Sequence, residues 1–400
     1  MSSSDEATLV NKTIDTLLEQ FPPAETEAKA FWAAQFDAGL AWVDFRIGDG
    51  GLGVSPSLRE TVTRRLSEAD APIWNIAANL LGIGMGAGVL AAHGTEAQRK
   101  RWLRPMFLME EIWCQMFSEP GAGSDVASLS MSAVRDGDEW ILNGQKVWTT
   151  LAHISKWGMI VTRTDPDQPK HRGLTYFIVD MEAEGVDIRP LYQITGEAEF
   201  NEVFFDDVRV NDDQRIDDVG AGWGVAMTTL MNERVAIGGR IVPRNSGTIG
   251  AAMTLWNESG PSDIATRREL ARLWAEVEAM RLTTLRAAEN MQAGVPGPEG
   301  STGKLTWAAL NKEVTSFSVE MLGLDGATIP EGYSLEPTSY ETREVERVMS
   351  PQRSFLRARA NSIEGGTSQI MRNILGERVL GLPGEPRVDK DIPWKDVPRG

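Results

Sequence analysis

Three stretches of this sequence combine residue types that can do chemistry. Met116–Val126 reads M-F-S-E-P-G-A-G-S-D-V. An apolar run, Ile112–Phe117, enters it, then Ser118, Glu119 and Pro120 stop the strand, and Gly121-Ala122-Gly123 turns the chain. Two glycines permit positive φ and remove the Cβ atoms that would hold a ligand off the backbone. Such a turn points successive N–H groups one way, which suits a phosphate or an electron-rich ring edge. Ser118 and Ser124 add hydroxyls at both ends. The second stretch is Trp148-Thr149-Thr150, a large flat ring beside a hydroxyl, able to cover one face of an aromatic cofactor. The third is Glu364-Gly365-Gly366-Thr367-Ser368, which precedes Ile370, Ile374, Leu375 and Val379 at helical spacing. Thr367 or Ser368 is a candidate N-cap, and the glycines leave N–H groups open where the helix dipole favours negative charge. Taken singly, the three also read as a strand-to-strand turn, a barrel residue and a capped helix.

The elements that must position these residues follow from hydrophobic period. Residues 5–111 read as helical, with Leu9, Ile14, Leu17 and Leu18 on one face and a second helix through Phe31, Trp32 and Phe36. Gly48–Gly53 is a loop and Ser57–Ala69 a third helix. Thr95 and Gln98 form a T-x-x-Q capping box for the helix Glu96–Arg104, whose pattern Pro105 ends. Its basic cluster, Arg99-Lys100-Arg101, reads as a solvated face. Around Ile112 the period becomes strand-like. Asn143-Gly144 between two apolar runs signals a two-residue hairpin. Further strand runs are Trp157–Arg163, Leu174–Val179, Val186–Leu191 and Glu202–Val210. From Gly224 the helical period returns, through Val225–Trp256, Leu270–Met291, Leu305–Leu322 and the last helix after Ser362. Gly294–Gly303 and Glu331–Tyr340 read as loops. The expected fold is therefore α+β. A helical domain over 1–111 precedes an antiparallel β-barrel or sandwich over 112–221, and a four-helix bundle over 222–400 follows.

Composition bounds the function. At 400 residues the chain exceeds one average domain, and 42% hydrophobic with 24% charged residues fits a soluble globular protein. A net charge of −17 argues against nucleic acid and anionic membrane surfaces. The single cysteine, Cys114, excludes an intramolecular disulfide and suits a reducing, cytoplasmic setting. Met1–Glu6 shows no basic n-region and no apolar h-region. Ile73–Ala92 has the length of a membrane span and no charge, but carries Asn75, Asn79 and the glycines 82, 84, 86 and 88. A buried core helix is the reading adopted, and no metal is assigned.

Five segments in register resemble the acyl-CoA dehydrogenase family: M-F-S-E-P-G-A-G-S-D, N-G-Q-K-V-W-T-T, G-L-T-Y-F-I-V-D, E-F-N-E-V-F-F-D-D-V-R-V and E-G-G-T-S-Q-I-M-R-N. The resemblance implies two helical domains around a β domain with FAD at their junction. It also implies loss of an α-proton and a β-hydride from an acyl-CoA thioester, the hydride going to flavin N5. Electrons then leave through an electron-transferring flavoprotein. By the same resemblance, Gln115, Phe117, Ser118, Gly123 and Ser124 contact the isoalloxazine, and Trp148 and Thr150 lie at its face and near N5. Thr367 and Gln369 lie on the cofactor's phosphate and adenine side, reached from a neighbouring subunit of a homodimer or homotetramer. Ser124 also contacts the acyl-CoA, with Arg234, Gly365 and Gly366 on the substrate side. The Gly365 N–H polarises the thioester oxygen.

Two departures from the family pattern bear on mechanism. Many members carry the catalytic glutamate directly before Gly-Thr, where this chain has Gly365. Glu364 lies one residue earlier, and a one-residue shift near a helix start turns a side chain by roughly 100°. A second family pattern places the glutamate before an arginine in the first long C-terminal helix, and Glu233-Arg234 in L-M-N-E-R-V-A-I-G matches it. The apolar neighbours Leu230, Met231, Val235 and Ile237 imply burial, which raises a carboxyl pKa toward the range useful for a general base. Glu233 is the expected base and Glu364 the runner-up. The other departure is Met253 and Trp256, where relatives have an arginine and a phenylalanine that reach FAD across the dimer. Arg267 or Arg268 could take that place. Gly365 and the missing arginine favour an alternative, a non-catalytic or half-site partner subunit of a hetero-oligomeric dehydrogenase, against which Glu233 stands. A flavin oxidase or monooxygenase on the same fold is the remaining alternative.

Overall fold

The computed structural model of the chain describes residues 2–72, 79–238, 242–259, 263–292, 299–330, 333, 350–386 and 389–398. Two compact units form. One comprises Met1–Arg189, Asn201–Asn232 and Asp389–Gly400, and the other Pro190–Phe200 and Glu233–Val388.

In the first unit, α1 (Ser3–Gln20), α2 (Ala28–Asp37) and α3 (Arg59–Glu68) bury Val10, Ile14, Leu17, Phe31, Val62 and Leu66 against one another. Of the glycine-bearing apolar stretch, the described part is a π turn, Gly82–Gly86, and a short helix, α4 (Ala87–His93). Residues 73–78 lie outside the described residues. α5 (Glu96–Phe107) starts at the expected capping box, with both Thr95–Gln98 bonds made. It does not end before Pro105. The helix runs through the proline because Met106 and Phe107 are fully buried on its last turn, which outweighs one missing N–H. Its basic cluster is not one solvated face either. Arg99 shares the buried side with Trp102, Leu103 and Met106, and its guanidinium meets Asp49 at 2.6 Å.

The strands are β1 (Trp113–Met116), β2 (Ser132–Asp136), β3 (Glu139–Thr150), β4 (Trp157–Arg163), β5 (Leu174–Asp180), β6 (Val186–Leu191), β7 (Phe200–Asn211) and β8 (Arg215–Ile216). They form one open sheet in the order β6-β7-β3-β2-β4-β5-β8, with β1 parallel to β4 at its side. β2–β3, β4–β5 and β5–β8 are antiparallel. The hairpin turn is Gly137-Asp138, not Asn143-Gly144, since Asp136 pairs with Glu139 and β3 runs straight through position 144. Asn143 instead exchanges side-chain bonds with Asp207, at 2.8 and 2.9 Å. Gly144 is needed for room, because a Cβ there would lie 2.9 Å from Met131 Cγ. Trp102, Trp113 and Trp157 pack ring against ring between α5 and the sheet.

Helix α6 (Gly222–Gly238) carries Glu233, and its first half is fixed to the sheet unit. Gly222 sits so close to β5 that a Cβ would meet Thr175 backbone atoms at 2.7 Å. The Gly220 N–H donates to Thr175 Oγ1, and Thr229 Oγ1 lies 3.2 Å from the Tyr176 hydroxyl. His93 bridges Asp217 and Thr228, at 2.8 and 2.9 Å. The Asn232 side chain reaches Met85 O over Gly88.

In the second unit, α7 (Gly247–Ser259), α8 (Ile264–Gln292) and α9 (Glu299–Met321) pack around Ile249, Ala252, Leu273, Val314 and Phe317. Further helices, α10 (Pro351–Ala358) and α11 (Ser368–Ile374), pack on α9. Positions 299–303 are the first turn of α9, not loop, and 294–298 lie outside the described residues. So does the Glu331–Tyr340 stretch apart from Tyr333.

Gly222→Ala has no side-chain end to push aside, only β5 backbone. It is expected to destabilise the protein by about 1–3 kcal/mol, read as a lower thermal midpoint, because the first turn of α6 must lift from the sheet.

Candidate active site

The Phe117–Ser124 turn is framed from beneath by a buried ion pair. Lys146, with no exposed surface, donates to Glu119 Oε1 at 2.8 Å and to the Phe117 carbonyl at 3.2 Å. The Glu119 carboxylate also accepts from Ser130 N and Oγ and from Met131 N, at 2.7, 2.9 and 3.0 Å. Glu119 and Ala122 exchange two backbone bonds of 3.0 Å, and Val147 N donates to Ser118 O. Burial pushes the Glu119 carboxyl up, but Lys146 and the Ser130 and Met131 N–H groups outweigh it and hold it below its ordinary value. Sequence reasoning assigned neither residue a supporting role. The signal was there, because Lys146 continues the inward alternation of Trp140 and Leu142 along β3.

On this frame the turn presents its outer face. Gly121 and Gly123 do not have the positive φ expected of them. What they contribute is space, since nothing lies within 4 Å of a Cβ built on either. Among the described residues, the Gly123 and Ser124 N–H groups have no backbone partner. Ser118 and Gln115 are half-buried, Ser124 is exposed, and Phe117 is buried edge-on to Tyr176. Gln115 Oε1 is buried with no hydrogen-bond partner. Trp148 takes φ +59° and is 57% exposed, between buried Val147 and Thr149, with Thr150 half-buried beyond. A bulky residue in the left-handed region is strained, and that strain holds the ring off the strand's regular face. An open, glycine-lined turn with unpartnered donors, an orphaned buried acceptor and a projecting indole fit a planar heteroaromatic cofactor such as FAD.

In the second unit, Gly365 and Gly366 have φ +61° and +91°, which favour glycine. Lys304 ties down the carbonyls of Asn361 and Gly366, each at 2.7 Å. Thr367, not Ser368, is the N-cap of α11, accepting from Ile370 N, and Gln369 is exposed. Both Glu364 oxygens are taken. Arg357 holds them in a fork at 3.1 and 2.9 Å, and Asn361 adds a bond of 2.7 Å. Burial depresses the Arg357 guanidinium, but Glu364, Glu199 and Glu197 more than compensate and keep it above its usual value. The side chains of Glu233 and Arg234 lie outside the described residues. Met253 is half-buried, Trp256 packs into the α7–α9 core, and Arg267 and Arg268 are exposed on the first turn of α8.

Family models for the acyl-CoA dehydrogenase N-terminal, middle and C-terminal domains match residues 7–110, 114–208 and 220–380. The chain belongs to the acyl-CoA dehydrogenase family. Acyl-CoA dehydrogenase IpdE1 of Mycobacterium tuberculosis is 39% identical over 355 residues, 88% of this chain and 86% of its own. The ChsE4-ChsE5 complex from the same organism superposes with TM-score 0.68 at 24% identity, over 96% of this chain and 99% of that one. A structure titled Tcur3481-Tcur3483 steroid ACAD gives 0.68 at 23% identity, over 96% and 99%. Among the described residues no helix is long and apolar enough to cross a membrane. Cys114 is buried, and burial pushes its thiol up to about 12, so this acyl-CoA dehydrogenase has no reactive thiol there.

Lys146→Met leaves Glu119 buried and unpaired, with an expected loss of about 3–5 kcal/mol in chemical denaturation. The carboxylate's contribution is full above the unperturbed glutamate value of about 4.3 and is lost as pH falls through the depressed native value. As pH falls from about 4.3 toward that depressed value, wild type should therefore lose stability more steeply than Glu119→Gln does. Gly123→Ala, by contrast, should unfold at the wild-type midpoint and show its defect as weaker FAD retention.

Proposed function

We propose that this acyl-CoA dehydrogenase removes hydrogen across the α,β-bond of an acyl-CoA thioester to give the trans-2-enoyl-CoA, with Glu233 as the α-proton base. What supports Glu233 is the pairing of its rival. A carboxylate whose two oxygens are already taken up by the Arg357 fork and by Asn361 is poorly placed to take a substrate proton. Glu233 also follows directly on the anchored half of α6, whose Thr229 and Asn232 are bonded in place. A base must be held in a fixed position to act efficiently.

Gln115, Phe117, Ser118, Gly123, Ser124 and Thr150 would hold the isoalloxazine, and Trp148 would cover one face. FAD, when bound there, supplies the acceptor for the β-hydride. The Gly365 N–H polarises the thioester carbonyl and so acidifies the α-proton. Arg234 and Gly366 line the substrate side, and Ser124 contacts the CoA portion. Thr367 and Gln369 serve the phosphate and adenine side of a cofactor shared between subunits. An electron-transferring flavoprotein is the proposed onward partner.

Met253 and Trp256 favour a second reading, in which this chain is one subunit of a hetero-oligomer and half of its cofactor contacts come from elsewhere. The likeness to the ChsE4-ChsE5 complex is of the same kind. Protein purified alone that is yellow, at one FAD per chain, supports the homo-oligomer. Colourless protein that turns yellow only with a co-expressed second chain supports the hetero-oligomer.

Glu233→Gln is expected to keep FAD and lose substrate-dependent bleaching by at least about a thousandfold in rate, the upper part of what general-base catalysis contributes being near that scale. Glu364→Gln should bleach within about tenfold of wild type. A panel of straight-chain, branched and steroid-derived CoA thioesters is the assay. Normal bleaching in Glu233→Gln with loss in Glu364→Gln would reverse the assignment.

A further inference from the structure

The family match ends at residue 380, but the chain continues and residues 389–398 return to the sheet unit. There they lie along the Asp165–Arg172 loop. Pro393 bridges Pro169, the Trp394 N–H donates to Gln168 O at 2.9 Å, and the Lys395 N–H donates to Pro166 O at 3.0 Å. Lys395 also pairs with Asp167. Two side chains then connect the segment to a single stretch, one directly and one through Lys170 of this loop. The indole of Trp394, 9% exposed, donates to Ser128 O at 3.2 Å and lies under the Arg163 guanidinium, 4.7 Å from its centroid. Arg163 in turn donates to Ala127 O at 2.6 Å. Asp389 shares the Lys170 ammonium with Asp125, at 2.5 and 2.7 Å. Directly from Trp394, and by way of Arg163 and Lys170, these contacts lead to residues 125–128, just after Gly123-Ser124.

The turn therefore has two anchorages. Lys146 and Glu119 fix its inner end, and between them and Asp125 stand Pro120, Gly121, Gly123 and Ser124, all exposed, with open space around both glycines. The outer end is fixed through Lys170 and Arg163, both of which rest on the C-terminal segment. We propose that Asp389 and Trp394 are positioning residues for acyl-CoA binding, acting through Asp125–Ser128 on the Ser124 end of the turn. This rests on the reading of Ser124 as an acyl-CoA contact. A turn left loose at one end must be ordered by the ligand, and that ordering is subtracted from the ligand's affinity. The segment thus presets the turn, and its loss appears in binding rather than in the chemical step.

The test uses the full-length holoenzyme and the variants Trp394→Ala, Trp394→Phe and Asp389→Asn. Hydrogen exchange of the peptide spanning residues 118–130 reads the turn directly. Calorimetric titration with free coenzyme A reads affinity, and the best substrate of the CoA-thioester panel reads kcat and KM. Trp394→Ala should exchange faster in that peptide and bind coenzyme A about tenfold more weakly, with KM raised and kcat within about twofold, since each ordered residue costs enough to give that scale. Trp394→Phe, which keeps a ring under Arg163, should recover most of the affinity, and Asp389→Asn should shift both readouts in the same direction by less. Unchanged exchange, or faster exchange with unchanged affinity and KM, overturns the proposal. Ser124→Trp separates the premise. If it leaves coenzyme A affinity intact, the assignment of Ser124 fails, whatever the exchange data show of the segment's hold on the turn.

Discussion

A lysine with no solvent contact, paired to a glutamate beneath a glycine turn, is the constraint on which the cofactor-side geometry depends. Taking both charges out of water is costly, and the pair stands only because it is fully satisfied. Lys146 spends donors on Glu119 and on a backbone carbonyl, while the Glu119 oxygens collect the Ser130 and Met131 donors. Each of those bonds ties β3, the turn and the start of β2 to one point. The turn can then expose unpartnered N–H groups and two side-chain-free residues without collapsing, because its inner end has no freedom left.

The same division between fixed support and open face recurs along α6. Its first half is anchored at four places, through Gly222, Thr228, Thr229 and Asn232, and the proposed base follows immediately. Glycines do three different jobs in this chain. Gly222 and Gly88 are contact surfaces that let backbone and side chains approach, whereas Gly121 and Gly123 face nothing and leave room outward. Gly365 and Gly366 are of a third kind, present because the backbone takes left-handed values. One residue type thus marks packing, vacancy and conformation, and only the tertiary structure distinguishes them.

The carboxylates divide in a similar way. Glu364 sits in the sequence beside the glycine motif and invites a catalytic reading, yet it is spent on Arg357 and Asn361 and helps hold the loop. Glu119 belongs to a recognisable motif, and its role is to carry the turn. The strand runs, the capping box at Thr95 and the α–β–α order were legible from period and cap chemistry, which are local. Asn143-Gly144 misled because its hairpin chemistry is also what a long strand uses where it must pass Met131 and bond Asp207. Pro105 and Arg99 misled because burial on one helix face overrides a local breaker and a local charge count.

By itself the sequence determined the family, the order of helical and strand regions, and the residue types at the glycine turns, since motifs and period depend on neighbours a few positions away. Only the tertiary structure decided which charges are buried in pairs, which glycines are open to a ligand, and that a segment past residue 388 holds the far end of the turn, Trp394 reaching Ser128 across a separation of 266 residues. Those outcomes depend on which distant groups meet inside a low-dielectric, close-packed interior. There an unpaired charge or a superfluous Cβ costs as much as a large share of the whole stability.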